Sequence, residues 1–410
     1  MAPVCIVFED GFVDRLRPIN WTRPTHAIHC GVYSLADLVA ETGWETHCHV
    51  RPYLKQRVDP DGRMFNDKLK GPILFLNAAL APDLAVFAKV SELVAAGESF
   101  LALDDQRVAA ALAPADFSPE WLTGGRDLVE MILEQRLPVL EEEFPTFGHP
   151  FDIVKHHERL MPTHLRRFVE RSKFRTVERD VFVGEETQIS PNVVFDSSDG
   201  PIVIGNGVTV RPFSYFSGPA KVGDRSLIID HAAIKHGTLL GKTVKAGGEI
   251  EISIVEDYSN KQHHGFLGHA FVGSWCNLGA GTSNSDLKNT YGDIGIEIDG
   301  RSVATGMQFA GCVVGDHTKT AINTSIFTGK LIGISSFVYG FVTTNVPSFT
   351  NYARSFGQVT EVGVDVAIKT QARMGNRRKV EMSPTDVKLM QDLFELTRAE
   401  RQLSSEQVVL

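Results

Sequence analysis

The sequence predicts a two-part protein: an α/β domain followed by a left-handed parallel β-helix, with a helical extension at the C-terminus. Three observations carry this reading. Apolar side chains recur every sixth residue from Ile204 onward. Short apolar strands alternate with helix-compatible stretches in the first part of the chain, and a helix-start signature stands at Ser383-Pro384-Thr385-Asp386.

The repeat comes first. Ile204, Val210, Phe216, Val222, Ile228, Ile234, Leu240, Ala246 and Ile252 are six apart. Four residues after each come Val208, Ser214, Ala220, Ser226, Ala232, Thr238, Val244, Ile250 and Glu256, all but the last small or aliphatic. An α-helix repeats near 3.6 and a strand at 2, so a period of six belongs to a repeat architecture. Three short strands per coil, each pointing a side chain into a triangular core, satisfy it, with coils stacked roughly 4.8 Å apart. Val183, Ile189 and Phe195 carry the phase upstream. Downstream it breaks at Glu256, resumes at Phe266, Val272 and Leu278, breaks again from Ser283 to about Gly311, and returns at Val314, Thr320, Ile326, Ile332 and Val338. Both interruptions are expected to be loops leaving the prism, where function concentrates.

In the N-terminal part, Val4 to Phe8, Pro72 to Leu76 and Phe100 to Leu103 read as strands, and Val32 to Thr42, Ala79 to Ala96 and Asp127 to Glu143 as helical candidates. Asp152 to Arg171 reads as a helix-rich bridge. The expected domains are 1–175, α/β; 176–348, the β-helix; and 349–410, the extension. In the last, Ser383 caps a helix with Pro384 at its first position, and Val387, Met390, Phe394 and Thr397 follow at helical spacing to pack on the solenoid.

A net charge of −9 over 410 residues argues against a general nucleic-acid binder, while leaving room for local phosphate pockets. Five scattered cysteines without a CxxC pair read as reduced thiols of a cytoplasmic protein. No secretory leader and no bilayer-long apolar run is read in the sequence, so no membrane partner is expected.

The chemistry concentrates in residues 260–269, Asn-Lys-Gln-His-His-Gly-Phe-Leu-Gly-His, and in Asn277-Leu278-Gly279-Ala280-Gly281-Thr282. A neutral imidazole on a loop leaving the solenoid, at the seam between neighbouring prisms, can take a proton from an amine or hydroxyl attacking a thioester. A Gly-Ala-Gly turn leaves space for a pantetheine arm and offers amides to an oxyanion. The pairs His231/His236 and His264/His269 also have an H-x4-H spacing used by γ-class carbonic anhydrases for zinc, although no Arg-x-Asp partner stands near Arg211.

These motifs resemble the acetyltransferase domain of the bacterial bifunctional N-acetylglucosamine-1-phosphate uridylyltransferase/glucosamine-1-phosphate acetyltransferase family, which reads His-Leu-x-Tyr-Leu-Gly-Asp and then Asn-Ile-Gly-Ala-Gly-Thr. The resemblance covers about residues 183–342. It implies a catalytic His263, Phe266 in place of a tyrosine, an acceptor-orienting Asn277, and an acetyl-CoA-contacting turn at Gly279, Ala280 and Gly281. The family's two basic sugar-phosphate residues fall on Ala233 and Glu251, leaving Lys235 and Lys288 as the nearest basic substitutes. It further implies sugar-phosphate or nucleotide substrates. A homotrimer is expected from the flat faces of a triangular solenoid.

At the other end, Phe8-Glu9-Asp10-Gly11-Phe12-Val13-Asp14-Arg15-Leu16-Arg17-Pro18 resembles the sugar-nucleotidyltransferase signature, and Trp21-Thr22-Arg23-Pro24 adds a likeness to a divergent branch of such enzymes that carry a solenoid. This implies a nucleoside triphosphate with Mg2+ as co-substrate, with Gly11 and Arg15 at its phosphates. Val13, Asp14 and Asn77 depart from the signature; Asp104 or Asp152 are open substitutes for the metal-binding aspartate, so the Mg2+ ligands stay unassigned. The expected function is nucleotidyl transfer to a sugar-1-phosphate joined to acyl transfer from acetyl-CoA. The alternatives are one active domain with the other as a binding scaffold, and a zinc enzyme.

Overall fold

The computed structural model describes residues 2–58, 71–114 and 127–403. The chain divides into two compact units, Met1–Leu16 with Thr22–His149, and Arg17–Trp21 with Pro150–Leu410.

The first unit is built on a five-stranded sheet. The run Val-Cys-Ile-Val-Phe forms β1 (Val4–Phe8), buried at every position. It lies between β2 (Glu45–His49) and β3 (Ile73–Asn77), parallel to both. A hairpin of β4 (Phe100–Asp104) and β5 (Arg107–Ala113) completes the order β2-β1-β3-β5-β4. A strand buried on both faces is apolar, as β1 is throughout and β3 is up to its closing Asn77. The helical candidates shorten to Leu35–Ala40, Leu84–Ala96 and Leu128–Glu134. The first starts at a Ser34–Asp37 capping box, and the second ends on Gly97 at φ 72°. Beyond β1 the chain enters a six-residue 3-10 turn, Gly11–Leu16.

The second unit is a three-sided parallel β-solenoid with flanking helices. Its first face runs through Val181–Val183, Ile202–Ile204, Ala220–Val222, Thr238–Leu240, Ile254–Val255, Phe271–Val272, Cys312–Val314 and Lys330–Ile332. The second stacks Gln188–Ile189, Thr209–Val210, Leu227–Ile228, Lys245–Ala246 and Asn260–Lys261, and the third Val194–Asp196, Tyr215–Ser217, Ala233–Ile234, Glu249–Glu251 and Phe266–Gly268. One side chain per strand fills the core, including Val222, Ile228, Ile234 and Leu240, all fully buried. The expected six-residue spacing therefore reports the core, as far as Ala246.

Beyond Ala246 three expectations are corrected. Ile250, not Ile252, shares the rung of Ile234, because the corner between Ala246 and Glu249 contains only Gly247 and Gly248. Ile252 sits at a corner with φ 41°. The first interruption is no loop leaving the prism: residues 254–268 form an ordinary coil in parallel register with the one below. Lys261 occupies the core slot above Ala246, which disguised the coil, and Leu267 rather than Phe266 points inward. The second interruption is real. After Ser283–Asn284 the chain makes an antiparallel hairpin, Gly295–Ile298 with Arg301–Ala304, before the coils resume at Cys312.

The helix Pro150–Glu170, expected to bridge from the first domain, packs with the solenoid, where buried His157 Nε2 lies 2.9 Å from the Gly237 carbonyl. At the other end, Ser383 caps the helix Pro384–Leu396 as expected, and the structure adds a reciprocal capping box with Asp386. That helix docks on the last coils through an edge-to-face Phe349–Phe394 contact at 5.3 Å. A further helix, Val364–Arg377, precedes it.

Candidate functional site

The expected acyl-transfer residues gather on two stacked corners between the second and third faces. Asn260 bridges Asn277, which in turn bridges Lys319, so residues 262–265 and 279–282 turn on successive rungs. The Gly281 N–H donates to the His264 carbonyl at 3.1 Å and ties the corners together. His263 and His264 are exposed, and the His263 imidazole makes no hydrogen bond to any described residue. Asn277 is exposed beside them, its Oδ1 accepting from Asn260 Nδ2 at 3.1 Å. Asn260 Oδ1 accepts in turn from Arg378, at the end of the helix that follows the solenoid.

The Gly-Ala-Gly turn has a structural reason as well as a chemical one. A Cβ on Gly279 would stand 2.5 Å from the Ala321 backbone, and one on Gly281, whose φ is +76°, 2.1 Å from Asn323 Oδ1. The next coil fills the space that a side chain would take. The turn's amides are also unequal. Gly279 N–H donates to Thr320 Oγ1 at 2.9 Å and Gly281 N–H to His264, leaving the Ala280 N–H as the uncommitted donor of the three.

The remaining expected residues lie farther out. Phe266 starts the strand after the lower corner, partly exposed on the third face, its N–H on Ser283 Oγ at 3.1 Å. Lys235, also on the third face, is no free phosphate ligand: its ammonium lies 2.5 Å from Glu249 and 3.8 Å from Glu251, which hold its pKa above the usual lysine value. Lys288 lies in the insertion and donates to the carbonyl of Asp293.

Two features escaped the sequence reading. Lys261 lies inside the prism, 1% exposed, and donates to the carbonyls of His263 at 2.7 Å and Gly247 at 3.1 Å. Burial alone pushes its ammonium down to about 8. Next, His269 Nδ1 lies 2.8 Å from Asp286 Oδ2, and its ring stacks on Phe309 at 5.3 Å. A carboxylate in the insertion facing a histidine at the end of its strand is invisible until the fold brings them together. Among the described residues no three His, Cys, Asp or Glu side chains converge to hold a metal; His231 stacks on Phe213, and His236 faces Glu251.

In the first unit, Gly11 and Arg15 share the exposed 3-10 turn after β1. A Cβ on Gly11 would meet nothing within 4 Å, so the backbone there is open. Arg15 lies over the Phe12 ring at 4.7 Å. Beneath the turn are two buried carboxylates. Glu9 accepts from Arg51 Nε at 3.0 Å, from the Arg51 amide at 2.9 Å, and from Thr25 N and Oγ1 at 2.8 and 2.9 Å. Asp10 accepts from Arg107 Nε and Nη2 at 2.7 and 2.8 Å, from Asn77 Nδ2 at 2.7 Å and from Phe12 N at 3.0 Å. Burial opposes ionisation of both, and their arginines more than offset it, so both lie below the usual carboxylate range. Asn77, where a metal-binding aspartate was expected, is thus a ligand of Asp10. Asp104 accepts from Thr146 N and Oγ1 at 2.7 and 2.6 Å, and Asp152 lies on a helix of the other unit.

Residues 5–171 match the sugar nucleotidyl transferase family. The chain is 27% identical over 206 residues to the bifunctional protein GlmU of Bartonella quintana, covering 49% of this chain and 41% of that one. It is 36% identical over 106 residues to the GlmU of Sphingopyxis alaskensis, 25% of this chain and 22% of the relative. A third relative, the bifunctional sugar-1-phosphate nucleotidylyltransferase/acetyltransferase of Sulfurisphaera tokodaii, is 25% identical over 142 residues, 34% and 35% of the two chains. The chain thus spans less than half the length of these relatives. Among solved structures, the UDP-N-acetylglucosamine acyltransferase of Francisella novicida aligns over 55% of this chain and 87% of its own, at 13% identity and a TM-score of 0.27. The matched segment runs past the first compact unit into the helix Pro150–Glu170. By sequence, residues 5–171 thus resemble the sugar nucleotidyl transferase family, and in this chain a three-sided parallel β-solenoid follows them.

Proposed function

We propose that the chain is a bifunctional transferase of sugar-nucleotide metabolism. Its solenoid moves an acyl group from acetyl-CoA to an amine on a sugar phosphate or nucleotide sugar. Its N-terminal domain, residues 1–175, joins a nucleoside triphosphate to a sugar-1-phosphate and releases pyrophosphate. The observation that carries the acyl half is the pair of stacked corners: an exposed imidazole without a partner among the described residues on one rung, and on the next the Ala280 N–H, uncommitted among the same residues.

In the mechanism this supports, His263 takes the amine proton as the nitrogen bonds to the thioester carbonyl carbon. The Ala280 N–H donates to the oxyanion that forms, with Gly279 and Gly281 keeping the turn in place. Collapse breaks the C–S bond, and the thiolate leaves as coenzyme A after taking the proton from the imidazolium. Asn277 orients the acceptor and Phe266 forms an apolar wall beside it. Lys235 acts within its carboxylate network rather than as a bare cation, and Lys288 stands at the edge of the acceptor. The names of the bifunctional relatives support the pairing of reactions.

For nucleotidyl transfer, the open backbone at Gly11 would approach the triphosphate and Arg15 would neutralise charge on the departing pyrophosphate. The donor set in this unit does not fit a resident Mg2+: the Asp10 carboxylate and one Asp104 oxygen are occupied by protein donors, and no metal-holding cluster occurs among the described residues. Magnesium therefore enters this proposal only as the triphosphate's counter-ion.

The assembly we favour is a cytoplasmic homotrimer. Val194, Phe213, Phe327 and Phe341 leave apolar surface exposed on the solenoid, which neighbouring prisms would cover. None of the five cysteines forms a disulfide. No helix among the described residues is long and apolar enough to cross a membrane.

One observation favours a second reading of the base. His269, unlike His263, has a carboxylate to set its tautomer, so His269–Asp286 could be the proton acceptor. The test of the whole proposal is a matrix of nucleoside triphosphates against sugar-1-phosphates read as pyrophosphate release, with coenzyme A release measured over amino-sugar phosphates and nucleotide amino sugars. Turnover in both columns is expected; turnover in neither contradicts the proposal.

A further inference from the structure

Every coil of the solenoid puts one side chain from the second face into the core. Val210, Ile228 and Ala246 fill this slot on successive rungs below Lys261. Leu278 follows above, beside the Asn260–Asn277 bridge. A leucine or isoleucine would fill the Lys261 slot as its neighbours do, without burying a cation. Burying an ammonium without a carboxylate partner is costly, so the choice calls for a local reason.

The geometry supplies one. The Lys261 ammonium has two partners, the carbonyls of Gly247 and His263, on consecutive rungs of a single corner. Ala246, one rung below, is small enough to leave room for the long side chain. Gly248, at φ +70°, keeps the space clear: a Cβ there would stand 2.9 Å from Lys261 Nζ, 2.9 Å from the His263 carbonyl oxygen and 2.7 Å from that of Gly265. Three features of the sequence, Ala246, Gly248 and Lys261, thus converge on one carbonyl, and it belongs to the residue whose imidazole has no tether among the described residues.

We propose that Lys261 is a positioning residue: from inside the prism its ammonium fixes the His263 peptide and thereby aims the His263 imidazole at the reacting amine. This deepens the acyl-transfer reading and rests on His263 being the base. Lys261 touches neither donor nor acceptor, so its loss should slow the chemical step and spare binding. Misaiming a catalytic group by about 1 Å can cost on the order of 100-fold in rate.

The experiment compares Lys261→Met, Lys261→Arg and His263→Ala in the full chain. It follows coenzyme A release from acetyl-CoA with the best amino-sugar acceptor, acetyl-CoA affinity by calorimetry, and the thermal midpoint. Lys261→Met should lower kcat roughly 10- to 100-fold, with acetyl-CoA affinity unchanged within about twofold and the midpoint moved by no more than about 5 °C. Lys261→Arg, which keeps a cationic donor, should recover part of the rate. If Lys261→Met does not fold, Lys261→Leu, which matches the residue of the next coil, takes its place. Wild-type kcat in Lys261→Met, or parallel loss of affinity, stability and rate, overturns the proposal, as does failure of both variants to fold. Full activity in His263→Ala instead removes the reading beneath it; an inactive His263→Ala beside a wild-type Lys261→Met removes only the positioning role.

Discussion

The turn after β1 and the solenoid corner at residues 262–265 both rest on buried charge, and they are held in opposite ways. Under the turn, Glu9 and Asp10 each meet a guanidinium, Arg51 and Arg107, and each accepts at least two further hydrogen bonds. Under the corner, Lys261 meets two neutral carbonyls and, among the described residues, no carboxylate. The first arrangement compensates burial fully and makes a stiff base for an exposed loop. The second leaves much of the desolvation cost standing, as the depressed ammonium shows. Matched ion pairs indicate a loop held chiefly by its own electrostatics. An undercompensated cation indicates a local demand stronger than stability.

Breaking the matched side should give the largest effect. Arg107→Met leaves the Asp10 carboxylate buried without its cation, and a loss of about 3–5 kcal/mol from the N-terminal unit is expected in equilibrium urea unfolding. A loss below about 1 kcal/mol would show that Asn77 and the Phe12 amide suffice.

The two regions should also respond to pH with opposite signs. The pKa values of Glu9 and Asp10 are lowered by folding, so the stability they contribute is present at neutral pH and lost as pH falls through and below the ordinary carboxylate range. Lys261 and Lys319 are lowered from 10.5 to about 8, chiefly by burial. The unfolded chain then binds more protons between those values, and the solenoid should gain stability, on the order of 3 kcal/mol per lysine, as pH rises from about 8 to about 10.5. Lys261→Met should remove about half of that alkaline gain. A flat profile would mean that both ammonium groups are solvated. The smallest effect distinguishes the two histidines. With His263 as base, Asp286→Asn should change kcat by less than about threefold, whereas a base at His269 would lose on the order of 100-fold through its misplaced tautomer.

The prism was legible wherever its core slots held aliphatic side chains, since a strict period of six has no other simple source. It became illegible where Lys261 and Asn284 took core slots. Corner length shifted too: Val222 to Leu240 spans a full eighteen-residue coil, but Leu240 to Val255 only fifteen, so a continuous coil read as a break. The histidine and Gly-Ala-Gly motifs were visible as motifs, and the fold adds that they lie one rung apart. That only the Ala280 amide is uncommitted could not be read, because its neighbours' acceptors, Thr320 and the His264 carbonyl, are supplied by the stacking. The pairing of Asp286 with His269 was hidden for the same reason. Around β1 the departures from the nucleotidyltransferase signature were visible, but their meaning was not. Asn77 stands where it does because it hydrogen-bonds Asp10.

The central claim is that the exposed corner imidazole performs acyl transfer, and coenzyme A release by His263→Ala tests it most directly. Against wild type, with pyrophosphate release as an internal control of folding, the account predicts a 10²- to 10⁴-fold lower acyl-transfer kcat and unchanged nucleotidyl transfer, about the contribution of a general base. Coenzyme A release at the wild-type rate by that variant would contradict it.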